Sequence, residues 1–141
     1  MASLIYNQLV VHWANGDIDF GADTFKCMLL TSSYTPNKDT DEFRDDIEAN
    51  EVAATGGYTA GGVAATVTVG ALDTVNDRVN ISLGGISIPT STITARYGAY
   101  YKSRGGASSA DELVAVIDFG SDVVSTGGTW ALTASTLRAQ N

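Results

Sequence analysis

The chain is poor in the residues that most often carry chemistry. It has one cysteine, Cys27, and one histidine, His12. A single cysteine excludes an internal disulfide, and the pair falls short of a zinc site built from cysteine and histidine ligands. A nucleophile needs a base beside it. The only pairing these two residues allow is Cys27 with His12, and both stand in apolar contexts, where Cys27 reads as a small buried hydrophobe. A serine nucleophile would depend on the same histidine and has no Gly-x-Ser-x-Gly motif behind it. Positive charge is scarce too: 8 Lys and Arg stand against 16 Asp and Glu, giving a net charge of −8. Such a chain repels phosphate backbones, so nucleic acid is not an expected partner. The nearest approach to a basic patch is Arg96, Lys102 and Arg104. No apolar run reaches the roughly 18–20 residues that cross a bilayer, and no basic leader with an apolar stretch and cleavage site opens the chain. The expectation is a soluble chain without a membrane partner, remaining in the cytosol where it is made until it assembles.

What is present favours β structure. The 141 residues suit one β-rich domain over positions 1–141, with 44% hydrophobic and only 17% charged residues. Small and β-branched residues fill the difference, as strands and tight turns require. Tyr6, Leu9, Val10 and Trp13 have the spacing of one helix face over residues 4–14, with Asn15-Gly16 as its stop; the same stretch also fits a hairpin. Residues 24–31 form an apolar run that reads as a central strand covered on both faces. Asp39 and Glu42 make a capping-box pattern for a short acidic helix near residues 40–49, with Phe43 and Ile47 pinning it to the body. Residues 55–62 are loop.

The second half alternates with period two. Val63 to Val69, Val79 to Leu83 after a turn at Asn76-Asp77, Ile93 to Tyr101 and Leu113 to Phe119 each read as strands, with a last strand near Trp130 and Leu132. The predicted fold is a mainly β antiparallel sandwich or barrel with two short helices. No internal repeat is evident.

The glycine pairs from Gly56-Gly57 to Gly127-Gly128 are turns, since none leads into a phosphate-loop signature. The carboxylates Asp39, Asp41, Glu42, Asp45, Asp46, Glu48 and Glu51 are crowded, but lack the glycine that a calcium loop needs at its sixth position; they read as a solvated acidic face. The pairs Asp17 with Asp19 and Asp118 with Asp122 read as turn flanks. Tyr97, Tyr100 and Tyr101 share one strand, with Tyr100 either half exposed or offered to an interface.

Four stretches carry a resemblance: 34–47 (Tyr-Thr-Pro-Asn-Lys-Asp-Thr-Asp-Glu-Phe-Arg-Asp-Asp-Ile), 57–62 (Gly-Tyr-Thr-Ala-Gly-Gly), 92–97 (Thr-Ile-Thr-Ala-Arg-Tyr) leading to Tyr101-Lys102, and 116–120 (Val-Ile-Asp-Phe-Gly). In this order the chain resembles small structural proteins encoded among the head and tail genes of tailed bacteriophages. It departs from their pattern at His12-Trp13-Ala14 and in its last six residues. The resemblance implies a capsid decoration, or cement, protein on the outer shell, with the major capsid protein as partner and self-association as a homotrimer. It brings no catalytic residue, cofactor or metal. Segments 34–62 and 103–111 are the expected contact regions, with Tyr34, Pro36, Phe43, Arg44, Tyr58, Arg96, Tyr100 and Lys102 as interface candidates. A tail or fibre component is the nearest alternative. A carbohydrate- or calcium-binding adhesion module is another, which an exposed Trp13 or Trp130 would serve.

Overall fold

The computed structural model describes residues 3–140. Its elements run β1 (Leu4–Ile5), α1 (Gln8–Asn15), β2 (Phe25–Leu30), β3 (Val63–Ala65), β4 (Val67–Asp73), β5 (Arg78–Leu83), β6 (Ile86–Lys102), β7 (Leu113–Leu132) and β8 (Ser135–Gln140), with 3-10 turns at Arg44–Asp46, Glu48–Asn50 and Ser108–Ala110. The strands form a five-stranded sheet in the order β1-β7-β6-β2-β3 and a three-stranded sheet β4-β5-β8. Both sheets are antiparallel. The fold is therefore mainly β with a short N-terminal helix, as predicted, in a sandwich-like arrangement; no closed barrel forms among the described residues.

Helix α1 stops where the sequence predicts. Gly16 takes a left-handed φ of 81°, and its N–H closes on the Trp13 carbonyl. The predicted face holds in part: Tyr6 and Leu9 are buried as expected, Val10 and Trp13 are not. Leu9 and His12 turn inward, while Val10, Val11 and Trp13 are exposed. The i, i+3, i+4 spacing identified a helix but only part of its inner side, because carboxylates at 17 and 42 hold the imidazole of His12 in place.

Strand β2 is central, paired with β6 on one side and β3 on the other. Its side chains divide between two clusters. Phe25, Cys27 and Leu29 meet Leu9, Phe20, Ile81, Leu83, Ile88, Trp130 and Leu137, joining the two sheets. Met28 and Leu30 meet Tyr6, Tyr34, Ile47, Tyr97, Tyr101 and Leu113 on the other face. Strand β6 serves both clusters. Ile93 and Ala95 belong to the first and Tyr97, Ala99 and Tyr101 to the second, and the change falls at an irregularity between Ala95 and Tyr97.

Two predicted boundaries are corrected. The strand expected over Val63–Val69 is two strands, one in each sheet, broken at Thr66. The Thr66 carbonyl accepts the Gly84 N–H at 2.7 Å. A Cβ on Gly84 would lie 2.4 Å from that oxygen, so only glycine lets the two crossings between sheets touch. Trp130 and Leu132 do not start a strand; they end β7, which runs on from Leu113, and β8 follows.

The acidic helix near residues 40–49 is replaced by two 3-10 turns. Side chains there compete for backbone donors. Asp46 accepts the N–H groups of Glu42 and Phe43, and Asp41 accepts that of Asn37. The segment also pairs outward, since Arg44 N–H bonds the Asp111 carbonyl and Leu113 N–H bonds that of Glu42. A continuous helix would forfeit those bonds.

Candidate functional site

The polar residues gather where segment 34–62 and the 103–112 connection meet the five-stranded sheet. Most of the carboxylates there bind partners inside the protomer. Asp41 accepts the Tyr34 hydroxyl at 2.7 Å, and the Tyr6 and Tyr34 hydroxyls lie 2.8 Å apart. Burial drives both phenols well above the ordinary tyrosine range, so this chain stays protonated. Glu51 accepts the Tyr58 hydroxyl and the Gly61 N–H, each at 2.6 Å, while Tyr58 itself takes the Leu29 N–H at 3.0 Å. The Gly61 carbonyl receives the Tyr101 hydroxyl, and burial pushes that phenol up to about 12.

Cations hold the next layer. Arg44 donates through Nε to Asp111 at 2.9 Å, has Nη1 3.4 Å from Glu48, and lies over the Tyr101 ring at 5.3 Å. Arg104 donates through Nε to both Glu112 oxygens, at 3.1 and 3.2 Å. Lys102 reaches Asp23 at 2.9 Å and the Asp17 carbonyl at 2.6 Å. Burial opposes ionisation of Asp23, but the Asp19 N–H and Lys102 outweigh it and hold the carboxyl below its usual value. His12 sits between two acids, with Nδ1 3.2 Å from Asp17 and Nε2 3.2 Å from Glu42. The Nε2 approach is too oblique for a hydrogen bond. Cys27 is fully buried, and burial pushes its thiol up to about 12. Cys27 lies in the core between the sheets, and the His12 ring contacts Asp17, Glu42 and Phe43. Among the described residues no group of three or more His, Cys, Asp or Glu is set to hold a metal ion.

Arg96 donates to Asp118 at 2.9 Å, and Gly120 N–H bonds the same oxygen at 2.8 Å. The Arg96 hydrogen bond, working against burial, holds the Asp118 carboxyl below the ordinary range. A carboxyl depressed in the folded state stabilises the fold above its unfolded value of about 3.9 and loses that contribution as pH falls through the folded value. Thermal melts from pH 7 to pH 2 are therefore expected to show a falling Tm below about pH 4. Asp118→Asn should lower Tm at pH 7 and make the acid limb shallower. Parallel acid limbs in variant and parent would show that this pair does not contribute.

The interface candidates are mostly interior. Tyr34, Pro36, Tyr58 and Tyr100 are buried, and the Tyr100 hydroxyl bonds the Gly84 carbonyl at 2.9 Å. Phe43 is half-buried against the His12 ring. Arg44, Arg96 and Lys102 are tied to Asp111, Asp118 and Asp23. The protomer thus uses these residues to fasten segment 34–62 and the sheet edges, and presents little of them outward. Trp130 is buried, with its indole N–H on the Val123 carbonyl, which leaves only Trp13 of the two tryptophans exposed.

The surface features that sequence reading missed are apolar. Leu72 and Val75, on and beyond β4, are 65% and 88% exposed, and Val124 on β7 is 61% exposed. Val75 sits in a turn between polar residues, the one sequence signal that could have drawn notice. Between the free edges of β1 and β8 lies a slot of about 330 Å³, lined by Leu4, Ile5, Leu83, Ala115, Ile117 and Leu137. A second depression of about 480 Å³ lies between Trp13, Phe20, Val69 and Val79.

No family model matches the chain, and neither a curated protein nor a solved structure matches it.

Proposed function

We propose that this chain is a structural protein of a tailed-bacteriophage particle: a capsid decoration protein that binds the major capsid protein on the outer shell and self-associates as a homotrimer. The carrying observation is that the stretches bearing the resemblance pack as one block. Tyr34 and Ile47, Tyr97 and Tyr101, and Val116 share one core cluster over the five-stranded sheet. Tyr58 and Gly61 bind that sheet through Leu29 and Tyr101. Stiffness of this kind is what a cement protein requires. Its acidity is harmless on the shell's outside, away from packaged DNA. A protein that binds only the mature lattice stabilises that lattice by mass action.

The test is the composition of purified particles. Densitometry should find the chain in hundreds of copies per particle, and a cryo-EM map should place it on the shell. A few copies at the tail would transfer it to the tail or fibre class. Absence from particles would end the reading.

A further inference from the structure

We propose that the depression between helix α1 and the three-stranded sheet is a binding site for a small organic cation, an ammonium group carried on an apolar body. This goes beyond the reading above, and it holds or fails whether or not the chain belongs to a particle.

The site forms where the two layers part. Trp13 in the last turn of α1 and Phe20 in the loop after it make one wall, and Val69 of β4 with Val79 and Ile81 of β5 make the other. Phe20 and Ile81 are buried and close the floor, while Trp13 and Val69 are 40% and 47% exposed. Two of the exposed large hydrophobics of the chain therefore line one concavity instead of standing singly on the surface. The aromatic wall is fixed in place. Trp13 meets Phe20 edge-on, with ring centres 5.4 Å apart and planes at 82°, and Phe20 stacks on Phe25 at 5.6 Å. An indole held by its neighbours loses little freedom when a ligand covers it. At about 480 Å³ the depression has the size of a small-molecule site, with the apolar walls such sites share.

Charge selects the ligand. Among the described residues Asp19 is the only ionisable group in the lining. It is exposed and makes no ion pair. One carboxylate oxygen accepts the Gly21 N–H at 2.8 Å, and the other has no partner within the described residues. An anion entering here would meet like charge with no cation to offset it. A neutral apolar ligand would cover the carboxylate without pairing it, which costs free energy. An organic cation satisfies both requirements. Its ammonium group pairs with Asp19 beside the indole ring, and its apolar body covers Phe20, Val69 and Val79.

Titration of the full chain with 4-phenylbutylammonium chloride tests this, read by tryptophan fluorescence and by backbone amide NMR shifts. Trp130 is buried, so Trp13 is the fluorescent reporter. A ligand of this size should bind saturably with a Kd of about 1 mM. It should bind roughly tenfold more tightly than 4-phenylbutanol or 4-phenylbutanoate. The shifts should centre on residues 13, 19–21, 69 and 79. Asp19→Asn keeps an acceptor for Gly21 and should bring the ammonium down to the affinity of the alcohol. Asp45→Asn removes an equal charge from an exposed position outside the site and should leave binding unchanged. The proposal is overturned by the lack of saturable binding up to about 20 mM. It is equally overturned by equal affinity for ammonium and alcohol in the parent, by shifts centred elsewhere, or by the same loss in Asp45→Asn as in Asp19→Asn.

Discussion

Alanine at position 111 is expected to cost about 3 kcal/mol of unfolding free energy. The reason is the state in which it leaves Arg44. Asp111 is 2% exposed and holds two donors, Arg44 Nε at 2.9 Å and the Arg104 N–H at 2.8 Å. Without it, a guanidinium that lies over Tyr101 retains only the Glu48 contact at 3.4 Å. An unpaired, largely buried charge is costlier than the intact pair is valuable. For a chain of this size the loss corresponds to a fall of about 10 °C in Tm. Urea unfolding should show a lower midpoint with an unchanged slope. Asp111→Asn keeps an acceptor in place and should cost less. Arg44→Ala combined with Asp111→Ala should lose less than the sum of the two. Were Asp111→Ala to melt with the parent, segment 34–62 would be held by its tyrosines alone.

Alanine at Gly62 should be more damaging still, above about 4 kcal/mol. Gly62 takes a left-handed φ of 79°, and a Cβ there would lie 2.0 Å from the Cys27 carbonyl oxygen and 2.7 Å from the Met28 Cα. Both atoms belong to the backbone of the central strand β2, paired on each side, so neither can retreat without breaking the five-stranded sheet. Gly105 is the control. It has a similar φ of 76° with nothing within 4 Å, and its alanine variant carries only the left-handed penalty of about 1–2 kcal/mol. Circular dichroism and urea melts on both variants make the comparison. Equal stability would mean that β3 does not approach β2 as closely as the structure shows.

Local features of the chain were legible where neighbours in sequence decide them. Gly16 stops α1 and the turn at Asn76-Asp77 joins β4 to β5 because both rest on left-handed backbone. The run from Phe25 to Leu30 reads as a central strand because both faces are apolar and both are covered. The acidic segment misled because its capping pattern is a local signal, while Arg44 and Glu42 spend their backbone bonds on Asp111 and Leu113, far along the chain. Tyr34, Tyr58 and Tyr100 read as interface candidates on equally local grounds, and all three are buried within the protomer. An amphipathic ring suits a partner surface and a polar-tipped core equally, and only the acceptors at Asp41, Glu51 and Gly84 show which applies.

The sequence by itself determined the class of fold, the antiparallel alternation, the helix at the start and the acidic balance, since these follow from side-chain period and composition. Tertiary structure decided how one alternating run divides between two sheets, which carboxylates are matched by cations, and that the free apolar groups stand at a hairpin tip and beside an edge slot. Those outcomes depend on contacts between residues distant in the chain, such as Thr66 with Gly84 and Arg44 with Asp111. Periodicity cannot encode them, because pairing partners across sheets are chosen by close packing and by the cost of leaving a buried charge or carbonyl unmet.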